Sequence, residues 1–81
     1  MNETLEMLIP AVEQQLTSAE TPYVAEAYHR ILADPEVDEM EAKNMIALCL
    51  ADESERMLQE ERDFDAARYQ NLLALLPKLP Q

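Results

Sequence analysis

Apolar residues recur along this chain at the three- and four-residue spacing of amphipathic helices. In residues 3–17 they occur at i, i+3, i+4, i+7 and i+11, which places them on one helical face. These positions are Leu5, Leu8, Ile9, Val12 and Leu16. Pro10 falls on the opposite face and leaves two interpretations open. Either one helix spans residues 3–17 with a kink at Pro10, or its regular part begins near Pro10.

A second helix is predicted over residues 22–33. Thr21 suits the N-cap position and Pro22 suits the first helical position, where no backbone N–H is needed. The helix should end before Pro35, because the residue preceding a proline is disfavoured in the helical conformation. Its apolar face is formed by Val24, Ala27, Tyr28, Ile31 and Leu32.

The third and fourth helices have the clearest start signals. Asp38 with Glu41 three residues later forms a capping-box pattern, and the helix that follows would span residues 39–62. Asp65 is the next N-cap candidate, and Phe64 and Tyr69 occupy the two positions of a hydrophobic staple around it. The fourth helix is predicted over residues 66–76.

The most apolar run, "MIALCLA" at residues 45–51, falls in the middle of the predicted third helix. The same helical period continues through Ser54, Met57 and Leu58, so a strand is excluded. On a helical wheel, one group of this run faces inward: Ile46, Ala47, Cys49, Leu50 and Ala51. Met45 and Leu48 face the other way. The centre of this helix is therefore apolar on all sides and needs cover on all sides.

Self-association would supply that cover. Met7, Tyr23 and Leu75 also lie off the apolar faces of their own helices. The interface hypothesis therefore names Met45, Leu48, Met7, Tyr23 and Leu75, with a homodimer as the expected state, because small chains often need a partner subunit. The alternative is that Met45 and Leu48 are singly exposed apolar residues, which are common on protein surfaces.

These patterns together predict an all-α fold. The expected architecture is a single domain over residues 1–81, a small bundle or array of four helices around a long third one. The chain has no glycine, which argues against a sheet with tight hairpins.

Charge narrows the classes of partner. The formal net charge is -11. Residues 1–40 carry nine acids and one base, Arg30, whereas residues 41–81 carry eight acids and five bases. A field of this sign repels phosphates, so neither direct nucleic-acid binding nor adhesion to an anionic membrane is expected. A protein partner remains, either a second copy of the chain or a basic protein that an acidic decoy would occupy.

Candidate chemistry is sparse, and we predict no catalytic residue, cofactor or metal. Glu26 and His29 have the Glu-x-x-His spacing of di-iron carboxylate bundles, which makes a metal-binding enzyme a further alternative function. Both residues fall outside their helix's apolar face, whereas such ligands project inward. Cys49 lies near no base that would lower its pKa and is expected to be a buried, inert thiol. The acidic stretches "DESER" and "EERDFD" are interpreted as solvated helix surface.

From Pro22 to Pro77 the chain resembles small uncharacterised bacterial helical proteins of unknown function. The resemblance is carried by "EVDEMEAKNMIALCLADE", "FDAARYQNLLALLP" and the order of the helices between them. It departs from the group in having one histidine, His29, and no glycine before the third helix. The resemblance implies a cytoplasmic bacterial protein and implies no particular activity.

Overall fold

A computed structural model describes residues 3–77 of the chain, and the side chains of residues 6–77. It contains four helices: α1 (Glu3–Leu16), α2 (Pro22–Leu32), α3 (Glu39–Glu60) and α4 (Ala66–Leu75). The all-α prediction is confirmed, as is α3 as the longest helix. Each helix ends one or two residues earlier than the apolar pattern predicted. The residue after each helix donates a backbone hydrogen bond to the carbonyl three residues before it, which closes the last turn.

Two of the three predicted N-caps are made by the side chain. Asp38 accepts a hydrogen bond from the Glu41 N–H at 2.8 Å, and Asp65 accepts one from the Arg68 N–H at 3.1 Å. The predicted staple is also present, since the Phe64 and Tyr69 rings meet edge to face with centroids 5.5 Å apart. These contacts fix where α3 and α4 begin.

Thr21 behaves differently from the prediction. It occupies the N-cap position of α2, but its side chain makes no capping hydrogen bond. Its hydroxyl instead donates to the Gln15 carbonyl at 2.9 Å. The hydroxyl therefore satisfies an acceptor at the end of α1 rather than a donor at the start of α2.

Pro10 lies within α1, and the helix continues through it. The interpretation that the regular helix begins near Pro10 is therefore wrong. The proline is exposed, as the helical wheel predicted, so its ring occupies space on the solvent side.

One cluster of buried apolar residues draws on all four helices. Its members are Val12, Val24, Ala27, Ile31, Ala42, Ile46, Ala47, Cys49, Leu50, Tyr69, Leu73 and Leu76. Helix α3 packs against each of the other three, which confirms its central position. Most of the inward group from "MIALCLA" is buried, with Ala51 half-buried.

The end of α3 corrects one expectation. Leu58, placed on the inward face by its spacing, is 73% exposed, whereas Met57 beside it is half-buried. Residues 55, 56, 59 and 60 are exposed as well. The last turns of this long helix thus extend beyond what its neighbours cover.

Polar contacts link the helices around the core. Arg30 of α2 donates to the Leu73 and Leu76 carbonyls at the end of α4, at 2.6 and 3.4 Å. Tyr69 of α4 donates to Gln15 Oε1 of α1 at 2.7 Å. A cation at a helix C-terminus is favourable because the unpaired carbonyls there carry partial negative charge. Among the described residues, no helix is long and apolar enough to cross a membrane.

Candidate functional site

The most distinctive chemical feature of the fold is a buried carboxylate, that of Glu53. Glu53 follows Cys49 by four residues and Leu50 by three, so the helical period places it on the covered face of α3. Its side chain has no solvent exposure, and it is the one fully buried charged residue among those described. An ionised carboxylate in such a position must be paired and hydrogen-bonded to be tolerated.

The turn after α3 brings the first partner back to Glu53. Glu61 takes the left-handed conformation, with φ of 52°. Its N–H donates to the Leu58 carbonyl, and the Arg62 N–H donates to the Met57 carbonyl, which is the Schellman arrangement. This reversal lets the Arg62 guanidinium reach Glu53 with two hydrogen bonds, at 2.7 and 3.1 Å.

The start of α4 supplies the remaining partners. The Asp65 N–H donates to Glu53 Oε2 at 2.8 Å, and Arg68 Nη1 donates to Glu53 Oε1 at 3.0 Å. Arg68 also donates to Asp52 at 2.6 Å. Both carboxylate oxygens of Glu53 therefore accept two hydrogen bonds each. We call Asp52, Glu53, Arg62, Arg68 and the Asp65 N–H the Glu53 cluster.

The hydrogen bonds of the cluster fix its protonation. Hydrogen bonds from Arg62 outweigh burial and, with those from Asp65 and Arg68, lower the pKa of Glu53 from an ordinary 4.5 to about 2. Glu53 raises the pKa of Arg62, as Asp52 and Glu53 raise that of Arg68. These groups stay charged at neutral pH. A general acid or base needs a pKa near the working pH. The arrangement is therefore better suited to linking α3 and α4 by ion pairs than to transferring protons.

The sequence interpretation of this region is wrong in one respect. Solvated helix surface describes neither Glu53 of "DESER", which is buried, nor Arg62 of "EERDFD", whose side chain is only 28% exposed. The signal that would have found the cluster is an acid at the helical spacing of a core face. The partner could not be chosen from the sequence, because the choice among nearby arginines depends on the turn at Glu61.

The sequence-predicted interface residues are not all alike. Met7 and Leu75 are 79% and 59% exposed. Met45 and Tyr23 are half-buried and pack against the core, and the Tyr23 ring meets Tyr69 edge to face. Leu48 is half-buried. Met7 and Leu75 thus offer more exposed apolar surface to a partner than Met45, Leu48 and Tyr23 do.

Three further apolar side chains are exposed that the interface hypothesis did not include. Leu58 and Met40, at opposite ends of α3, are 73% and 56% exposed, and Phe64 is 39% exposed. Sequence reasoning missed Leu58 because periodicity reports which face a residue occupies but not where the neighbouring helices stop.

The residues considered for catalysis lie apart from the Glu53 cluster. Glu26 and His29 are both exposed on α2, and His29 contacts the Tyr28 ring edge to face at 5.8 Å. Within the described side chains, no group of three His, Cys, Asp or Glu is placed to hold a metal. Cys49 is buried, as predicted, and burial followed by the charge of Asp52 raises its pKa to about 11. Its thiol is therefore protonated at neutral pH.

A surface cleft of about 140 Å³ lies between α2 and α4. Its polar rim is Tyr23, Glu26, Arg30 and Gln70, and its apolar lining includes Ala27 and Leu73. Arg30 is already engaged by the Leu73 and Leu76 carbonyls. The strongest hydrogen-bond donor of the cleft is therefore already used in holding the end of α4.

Comparison of the chain with protein-family models, with curated proteins and with solved structures finds no match. The resemblance to small bacterial helical proteins stays a prediction.

Proposed function

We propose that this protein is a non-enzymatic interaction module that associates with a second copy of itself through exposed apolar side chains. The observation that carries the proposal is the exposure of Met7, Leu58 and Leu75, each more than half exposed on a chain of 81 residues. Burying such side chains contributes roughly 25 cal/mol for each Å² of apolar surface removed from water. In this proposal the protein acts in the cytoplasm, as an accessory subunit.

The charged groups of the fold support this function rather than a catalytic one. The Glu53 cluster satisfies its own hydrogen bonds, and its carboxylate stays ionised far below neutral pH. Glu26 and His29, the basis of the metal-enzyme alternative, are exposed on one helix and lack the inward placement of di-iron ligands.

Sedimentation equilibrium tests the proposal. Wild-type protein should self-associate at concentrations up to about 1 mM, and Met7→Glu or Leu75→Glu should weaken the association by roughly tenfold or more, because a charge would have to be buried in the interface. Gln70→Glu adds the same charge at an exposed polar position of α4, about 140° around the helix from Leu75, and is the matched control. A wild type that sediments as a monomer throughout this range would overturn the proposal.

An acidic decoy for a basic protein is the second candidate function. It is favoured by five exposed acids within eight residues around the start of α3: Asp34, Glu36, Asp38, Glu39 and Glu41. Lys43, the nearest base, is paired with Glu13 at 3.2 Å. Binding of this kind would weaken steeply with salt, whereas apolar self-association would not, so the salt dependence of association discriminates the two functions.

A further inference from the structure

Helix α4 is attached to the rest of the molecule by hydrogen bonds at both ends. At its start, Arg68 and the Asp65 N–H bind Glu53 of α3. At its end, the Leu73 and Leu76 carbonyls bind Arg30 of α2. Between these contacts it contributes three buried apolar side chains to the core: Tyr69, Leu73 and the following Leu76.

The other three helices also pack directly against one another. Helix α1 packs against α2 and α3, and α2 packs against α3. The buried residues on these three helices include Val12, Val24, Ile31, Ala42 and Ile46. A helix of ten residues is marginal in water without tertiary contacts, so α4 would lose its structure when it leaves this core.

The Glu53 cluster makes the docking of α4 conditional. The buried carboxylate is tolerated only with its full set of donors, because an unpaired buried charge is strongly unfavourable. Two of those donors, the Asp65 N–H and Arg68, move with the start of α4. A shift of α4 along α3 would break both together, so the cluster permits one docked position and penalises those near it.

We propose that α4 is a latched element, held in one docked position by the Glu53 cluster, and that it opens as a unit while α1, α2 and α3 stay folded. Opening uncovers Tyr69, Leu73 and Leu76 and the part of the core that they cover. The latch thus governs a conditional apolar surface, separate from the permanently exposed Met7. The proposal does not depend on self-association.

Amide hydrogen exchange at neutral pH tests the latch. In the wild type, α4 amides should exchange roughly tenfold or more faster than the buried central amides of α3, through an opening that leaves α1 protected. Glu53→Gln should raise exchange in α4 by a further tenfold or so, because the amide nitrogen of glutamine faces arginine donors, and it should also raise exchange in α1, because global unfolding breaks the same cluster. Val12→Ala separates the two openings. Val12 is buried on α1, which packs against α2 and α3, so this variant should raise exchange in α1 by roughly tenfold and leave α4 within about twofold. Glu55→Gln is the matched control, since Glu55 is exposed on the same helix.

The alternative is a fully cooperative fold in which α4 has no independent opening. In that case α4 and α1 amides would be equally protected in the wild type, or Val12→Ala would raise exchange equally in both, and either result overturns the proposal. Should Glu53→Gln fail to fold, Arg68→Lys is read in the same way. Lysine keeps the positive charge but lacks the planar guanidinium whose two nitrogens bind Glu53 and Asp52 at once.

Discussion

At the scale of single residues, Glu53 shows how a buried charge is made tolerable. Its four hydrogen bonds come from Arg62, Arg68 and the Asp65 backbone, so no lone pair faces an apolar neighbour. Among the described side chains, no buried polar atom lacks a partner. A buried ion pair adds modest net stability, yet removing one partner is costly because the other charge is left unpaired.

Glu53→Gln should therefore destabilise the fold by about 2 kcal/mol at neutral pH, less than for a fully buried pair because the arginines reach solvent. The folded-state pKa of Glu53 is depressed, so its stabilisation is complete above the ordinary 4.5 and declines as pH falls toward about 2. Urea unfolding at about pH 7 and about pH 3 should show the gap between wild type and variant narrowing at acid pH. A gap of constant size would contradict the assignment.

Glu61 is the second residue whose backbone decides local structure. It adopts a positive φ of 52° without being glycine, and its turn directs Arg62 toward Glu53. A residue with a Cβ pays roughly 1 kcal/mol for this conformation relative to glycine.

Glu61→Gly should accordingly stabilise the protein by about 1 kcal/mol. Glu61→Ala is the control, because it removes the same carboxylate but keeps the Cβ, and it should give little of that gain. Thermal unfolding followed by circular dichroism measures both. Equal stabilisation by the two variants would mean that removal of negative charge, and not backbone geometry, is responsible.

At the scale of elements, the helix boundaries follow local chemistry that the sequence contains. Asp38 and Asp65 cap α3 and α4, and α2 begins at Pro22 as predicted and ends before Pro35, at Leu32. Helix α1 is the exception, because Pro10 sits in its interior. A proline there removes a backbone hydrogen bond and crowds the preceding turn.

Pro10→Ala should stabilise α1 by about 2 kcal/mol, somewhat less than the full helix-interior penalty because alanine also makes the unfolded chain more flexible. Pro22→Ala is the matched control. Pro22 is the first residue of α2, where proline is suited, so its replacement should be neutral or slightly destabilising. Chemical denaturation of both variants provides the comparison. Stabilisation by Pro22→Ala alone would contradict this account of the two prolines.

At the scale of the whole molecule, charge opposes compactness. A net charge of -11 is carried by a structure with a radius of gyration of 12.1 Å. Acids of the first forty residues are exposed at every position whose side chain is described. Their mutual repulsion destabilises the folded state, and salt screens it.

Stability should therefore rise as NaCl is increased from about 10 mM to about 500 mM, because the shorter Debye length screens the repulsion among the exposed acids. Glu36→Lys, at an exposed position in the α2–α3 connection, should reduce this increase. The midpoint of thermal unfolding measures both effects. A midpoint that falls with salt would show that the ion pairs of the Glu53 cluster outweigh surface repulsion.

The sequence by itself determined the helices and most of the core. Spacing and local chemistry predict the four helices, their caps at Asp38 and Asp65, and the central position of α3. They also predict the burial of Ile46, Ala47 and Leu50, because helical period and capping depend on residues a few positions apart. Local signals failed at Thr21, whose hydroxyl found a partner on another helix.

Only the tertiary structure decided the Glu53 cluster and which apolar side chains remain exposed. Glu53 and Arg68 are fifteen residues apart, and they meet because the turn at Glu61 sets the direction of the chain between α3 and α4. Leu58 has the spacing of a core residue but is exposed, since the last turns of α3 extend beyond the cover that the described parts of the other helices provide. Periodicity identifies the face of a helix, whereas burial also requires a neighbour at that height, and neighbours are set by how the helices pack.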